Sequence, residues 1–160
     1  VGAVLIALYG ALTVRDPIRT AEDLGLVTQM FPGRLGVCFA SGYQTRWMQT
    51  LGQQESVSAS PRDAKSDARN REIFNEHLEI LEKAWDEDSF SYAGKHYQVP
   101  FPATGVERWP GAEWTRAYAR AGDIDEAGTL HRIGVRPKPL TRPEIFIPST
   151  VSRETIIDAF

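Results

Sequence analysis

DPIRTAEDLGLVTQMFPGRLGVCFA, residues 16–40, reads as a helix, a breaker and a strand in immediate succession. Asp16 is placed to cap the free amides of a helix start, and Pro17 suits the first helical position because its missing N–H is not needed there. Ile18, Ala21, Leu24, Gly25 and Thr28 then recur on one face. Pro32-Gly33 stops the helix, and RLGVCFA is a short apolar run between glycines. Upstream, VGAVLIALY at residues 1–9 is a near-continuous apolar run of strand length, as expected when helices cover a parallel sheet. The order strand, helix, strand predicts a parallel βαβ unit and an α/β fold.

Downstream, residues 52–66 carry Ser56, Ser58, Ser60, Pro61 and Asp63 and read as a long surface loop. From Asp67 the pattern is helical: Ile73, Phe74, His77, Leu78, Leu81, Ala84 and Trp85 share one face, and Glu72, Glu76, Glu79 and Lys83 the other. FSYAGKHYQV alternates around Ala93-Gly94 as a small hairpin does. Residues 100–125 show no regular period and are expected to pack as an excursion through Trp109, Trp114 and Tyr118. LHRIGVRPKPLTRP is extended, EIFIP supplies a third short strand, and STVSRETIIDAF a turn and the start of a helix. No internal repeat interrupts this order.

With 160 residues, 42% of them hydrophobic and 24% charged, the chain has the composition of one globular domain. A net charge of -3 with no cluster of lysines or arginines offers nothing to nucleic acid or an anionic membrane. Cys38, the lone cysteine, has no internal disulfide partner, and His77, His96 and His131 are scattered without metal-ligand spacing. A reducing, cytoplasmic setting is expected. The opening apolar run lacks a basic flank and is too short to span a bilayer. Both ends read as cut, Val1 lying inside an apolar run and SRETIIDAF inside an amphipathic one, so the chain is expected to be an internal piece of a longer protein.

Several stretches resemble the luciferase-like flavin-dependent monooxygenases. They are DPIRTAEDLGLVTQMFPGRLGV, GYQTRWMQTLGQ, DARNREIFNEHLEILEKAWDEDSFSYAGKHYQVP and VRPKPLTRPEIFIPSTVSRET, covering most of the chain from about residue 15 onward. The block from Asn70 to Pro100 is the most specific, because helix, acidic turn and aromatic hairpin follow without a break. The resemblance implies a (β/α)₈ barrel, of which this single incomplete domain, residues 1–160, would hold about the third to fifth strands with their helices and an excursion before the last. A closed barrel needs about 250 residues. Three parallel strands alone would leave open edges and apolar faces, so poor solubility or self-association is expected.

By the same resemblance the activity is oxygenation of a small organic substrate with reduced FMN and dioxygen. The reduced flavin would come from a separate NAD(P)H-dependent reductase, and the complete enzyme would be a homo-oligomer. Two alternatives stand beside it: an inactive barrel remnant that only binds or oligomerises, and a deazaflavin-dependent dehydrogenase.

In such barrels the ligand lies at the carboxyl ends of the strands. That rule selects Tyr9-Gly10, Phe39–Tyr43 and Pro148–Ser152. Cys38, Phe39 and Tyr43 are candidates for the apolar slot of a flavin ring, with Ser41 beside them and Gly42 admitting close backbone approach. Core packing is the competing role for Cys38 and Phe39. Ser149, Thr150, Ser152 and Thr155 are candidates for the phosphate, helix capping being their commoner use. Ser41 stands where the family often has an arginine, with Arg46 a candidate substitute, and Thr28 stands where it usually has an aspartate, the accustomed partner of Arg34. Trp47, Trp85, Trp109 and Trp114 are candidates for a substrate cavity, though Trp85 falls on a packing face. Neither an acid/base pair nor a nucleophile pattern is present, so no catalytic residue and no metal ligand is assigned.

Overall fold

The computed structural model describes residues 5–42, 48, 50, 51 and 64–148, with side chains from residue 11 onward. Strand β1 (Leu5–Ala11) leads through a 3-10 turn (Leu12–Val14) into helix α1 (Pro17–Met30), then strand β2 (Leu35–Ala40). Helix α2 (Ala64–Asp86) follows, then a hairpin of β3 (Tyr92–Ala93) and β4 (Gln98–Val99), helix α3 (Ala112–Tyr118) and strand β5 (Glu144–Phe146).

The three longer-range strands form one parallel sheet in the order β1-β2-β5. Leu5 pairs with Leu35 and Leu8 with Cys38; on the other edge Gly36 pairs with Glu144 and Cys38 with Phe146. The parallel βαβ arrangement expected from residues 1–40 is therefore present. The described sheet has three strands and does not close on itself.

Local chemistry accounts for these elements. Asp16 Oδ1 accepts the Arg19 amide at 2.9 Å and Pro17 occupies the first helical position of α1. Alternation along β2 sends Leu35, Val37 and Phe39 into a core shared with Ala21 and Leu24 of α1 and Phe74, Leu81 and Trp85 of α2. Burying each of the larger side chains contributes about 1.5–3 kcal/mol relative to exposure. The Trp85 indole N–H donates to the Ala21 carbonyl at 3.2 Å and so joins the two helices. On the opposite face of the sheet Cys38 and Ala40 are half-buried and Phe146 is 42% exposed. That face carries the small residues of β2 beside the exposed Phe146 of β5, and the core cluster lies on the other side of the sheet.

Several expectations need correction. β1 continues through Tyr9-Gly10 to Ala11, across a register irregularity between Leu8 and Ala11, so the strand ends at the 3-10 turn and not at Tyr9-Gly10. Helix α2 begins three residues earlier than Asp67, which lies in its first turn. β5 stops at Phe146, two residues short of the EIFIP stretch.

The excursion also differs from its reading. It contains α3, which buries no residue, and Trp114 and Tyr118 are exposed and stacked on each other with ring centroids 5.1 Å apart. Backbone hydrogen bonds hold it instead: Val106 and Leu130 exchange two, Phe90 and Ile133 two more. Asp123, buried, accepts the Arg120 amide through Oδ2, and Asp125 Oδ1 accepts the Thr129 amide at 2.8 Å. Polar caps do the work expected of the aromatics. Asp125 also accepts from His131 Nε2 at 3.0 Å, and that contact first, then the Thr129 amide, hold its carboxyl down at about 2.

Thr28 has a role that the aspartate comparison hides. Its hydroxyl donates to the Gly25 carbonyl at 2.7 Å and accepts the Leu140 amide at 3.2 Å, tying α1 to the segment that leads into β5. Arg34 is not left without a partner.

Candidate active site at the strand ends

Parallel pairing makes β1, β2 and β5 end on one side of the sheet, where the chain leaves through Leu12–Val14, Ser41-Gly42 and Ile147-Pro148. The geometry there centres on one carbonyl. Thr13, buried in the 3-10 turn, donates from Oγ1 to the Ser41 oxygen at 3.0 Å. Asn70, in the second turn of α2, donates from Nδ2 to the same oxygen at 2.9 Å.

Asn70 is 1% exposed, and its Oδ1 has no hydrogen-bond partner among the described residues. A buried acceptor left unpaired costs about 1–3 kcal/mol. The residue that keeps the Ser41 carbonyl in place therefore does so against the stability of the helix around it.

Gly42 follows with φ +86°, in the left-handed region that glycine adopts without steric cost. A Cβ at this position would lie 2.3 Å from Met48 Sδ and 2.8 Å from Ala11 Cβ. Both the backbone conformation and the space require glycine.

Two turns along α2, His77 is buried against the same region, its Nδ1 3.1 Å from the Leu12 carbonyl oxygen. A carbonyl only accepts, so Nδ1 carries the proton. Burial is the main cause that pushes the imidazole below its ordinary 6.5, the Leu12 bond acting in the other direction. Its ring meets Tyr97 edge-on at 5.2 Å.

Among the sequence candidates, Cys38, Ser41 and Gly42 come together at the end of β2, Cys38 on the face away from the core. Phe39 points the other way and lies fully buried among the core residues. Tyr43, Ser149, Thr150, Ser152 and Thr155 lie outside the described residues, as do Arg46 and Trp47. Trp85 packs in the core; Trp109 and Trp114 line a shallow cavity of about 440 Å³ in the excursion, formed by residues 108–114 with Arg116, Ala127 and Gly128.

Sequence reasoning passed over Thr13 and Asn70. The signal for Asn70 was its spacing, since it falls three and seven residues before Ile73 and His77 and so extends their buried stripe with an amide. Thr13 carried no such signal, because its partner is a backbone oxygen 28 residues away.

A parallel sheet with helices on one face and a built turn at its carboxyl edge defines an α/β protein of the kind that binds ligands at strand ends. The family model of luciferase-like monooxygenases matches residues 10–147, and the chain belongs to that family. A comparison with curated proteins gives no match. Membership makes an oxidoreductase the enzyme kind, in a family that generally uses a reduced flavin or deazaflavin. Among the described residues no helix is long and apolar enough to cross a membrane.

Proposed function

We propose that the chain forms part of a flavin-dependent monooxygenase that uses reduced FMN and dioxygen to oxygenate a small organic substrate. In this reading the sheet is a segment of a (β/α)₈ barrel, about its third to fifth strands. The face bearing Cys38, Ala40 and Phe146 is then the one a complete barrel turns inward. The observation that carries the reading is the parallel β1-β2-β5 order, which sends the Leu12, Ser41 and Ile147 segments out on one side.

The described residues fit a flavin in two respects. Cys38 and Ala40 are small and half-buried, which leaves an apolar surface at the end of β2, and Gly42 keeps the lip free of a side chain. The orphaned Asn70 Oδ1 marks the same turn as one whose geometry is held at a cost to stability. Cys38, Ser41 and Gly42 would hold the group there, joined by Tyr43 and by Ser149, Thr150, Ser152 and Thr155. When bound, the reduced flavin supplies the electrons that activate dioxygen.

The protein's own contribution is placement and exclusion of water. The core of Val37, Phe39 and Phe74 seals the sheet from behind, while Thr13 and Asn70 fix the turn in front. A separate NAD(P)H-dependent reductase delivers reduced flavin, and the complete enzyme is a cytoplasmic homo-oligomer.

Titration of the chain with oxidised and photoreduced FMN, followed by oxygen-electrode measurements, tests this. Saturable FMN binding and oxygen-dependent reoxidation are expected. Binding of no flavin would favour an inactive remnant, and tight deazaflavin binding with hydride transfer and no oxygen uptake would favour a dehydrogenase.

A further inference from the structure

The two donors on the Ser41 carbonyl have a geometric consequence for the amide on the other side of the same peptide bond. In a trans peptide the C=O and the following N–H point in opposite directions. With the Ser41 oxygen held toward Thr13 and α2, the Gly42 N–H is turned away from α2 and out of the core. That N–H has no hydrogen-bond partner among the described residues. The peptide thus presents a fixed donor at the carboxyl end of β2.

We propose that Thr13 and Asn70 are positioning residues which, acting through the Ser41 carbonyl, aim the Gly42 N–H at an oxygen acceptor of the bound flavin, either a ring carbonyl or the phosphate. The inference rests on the flavin reading above and adds the residues that set the donor. Three observations support it independently of the family. Two side chains from separate elements converge on one oxygen, where a single donor suffices for satisfaction. Asn70 keeps this bond while leaving Oδ1 unpaired, although an aliphatic side chain on that buried stripe would leave no orphan. Gly42 holds a backbone conformation that no side chain fits. All three preserve the direction of one peptide plane.

The test compares the unmodified chain with Thr13→Val, Thr13→Ser and Asn70→Leu, reading FMN and riboflavin affinity by flavin fluorescence, thermal unfolding without ligand, and the Gly42 amide proton shift on FMN addition. In the unmodified chain the Gly42 amide proton is expected to move downfield as FMN saturates. Thr13→Val and Asn70→Leu are each expected to weaken FMN binding roughly three- to tenfold, the worth of one hydrogen bond, with Thr13→Ser restoring it. Loss confined to FMN places the acceptor on the phosphate, and equal loss with riboflavin places it on the ring. A merely structural role would lower the unfolding temperature and leave the affinity of the folded protein unchanged. FMN binding with an unmoved Gly42 amide and unaltered affinity in Thr13→Val overturns the inference and leaves the flavin reading standing. Absence of FMN binding by the unmodified chain overturns both. Where Asn70→Leu fails to fold, Thr13→Val and Thr13→Ser decide the inference: an affinity unaltered in Thr13→Val overturns it even if the Gly42 amide moves.

Discussion

Tyr97 and Asp16, 81 residues apart in sequence, are joined by a hydrogen bond of 2.5 Å from the phenol to Oδ2, while Oδ1 of the same carboxylate caps α1 through the Arg19 amide. One side chain thus serves a helix start and anchors the hairpin to it. Asp16→Ala is expected to destabilise the chain by about 1–2 kcal/mol, the cost of a lost N-cap and a second contact, and Tyr97→Phe by about half of that. Urea unfolding of the two variants measures the difference.

The same pair sets an alkaline limit. Burial first, then the Asp16 carboxylate, push the Tyr97 phenol upward from 10.0. A raised folded value means that the contribution is fully present below pH 10 and is lost as pH rises beyond it. Unfolding titrated above pH 10 should show a shallower decline in Tyr97→Phe than in the unmodified chain.

His77 sets an acid limit by the opposite sign. Its folded value is depressed below 6.5, so the unfolded chain takes up a proton first and stability falls as pH drops below 6.5. His77→Gln keeps an N–H for the Leu12 carbonyl and removes the titration. Its unfolding free energy should be less dependent on pH between 6.5 and 5, as read by denaturant unfolding at several pH values.

Glu76 accepts three consecutive backbone amides, Lys95 on Oε1 at 2.9 Å and His96 and Tyr97 on Oε2 at 3.0 Å each. Glu76→Gln turns one acceptor into a donor facing those amides. The variant is expected to lose about 1.5–3 kcal/mol and to show faster hydrogen exchange at residues 95–97 than elsewhere.

Gly25 marks the closest approach between α1 and the segment before β5, where an added Cβ would lie 2.2 Å from the Pro137 carbonyl oxygen. Backbone cannot rotate aside as a side chain can. Gly25→Ala is therefore expected to cost about 1–3 kcal/mol in thermal or urea unfolding, despite the better helix propensity of alanine.

What was legible in the sequence followed from local rules. Asp16-Pro17, the apolar stripe of α1 and the run from Leu35 to Ala40 were readable because capping, helical period and strand alternation each act over a few residues. The excursion was not. Its order comes from Asp123, Asp125 and isolated backbone bridges between distant residues, which leave no period to detect. Glu76 looked like one more solvated glutamate on the polar side of α2, since its three partners lie 19 to 21 residues away. At the candidate site, strand-end logic selected Cys38, Ser41 and Gly42, which lie together at the end of β2. Thr13 and Asn70 were missed because they act on a main-chain oxygen.

Cys38 is the lone cysteine and lies half-buried on the face of β2 away from the core, so its alkylation reports on that surface without ambiguity. The most direct measurement is the rate of Cys38 carbamidomethylation by iodoacetamide, with and without saturating FMN. If the flavin lies at the carboxyl ends of these parallel strands, bound FMN will slow the reaction several-fold. FMN that binds and leaves the rate unchanged would contradict that placement.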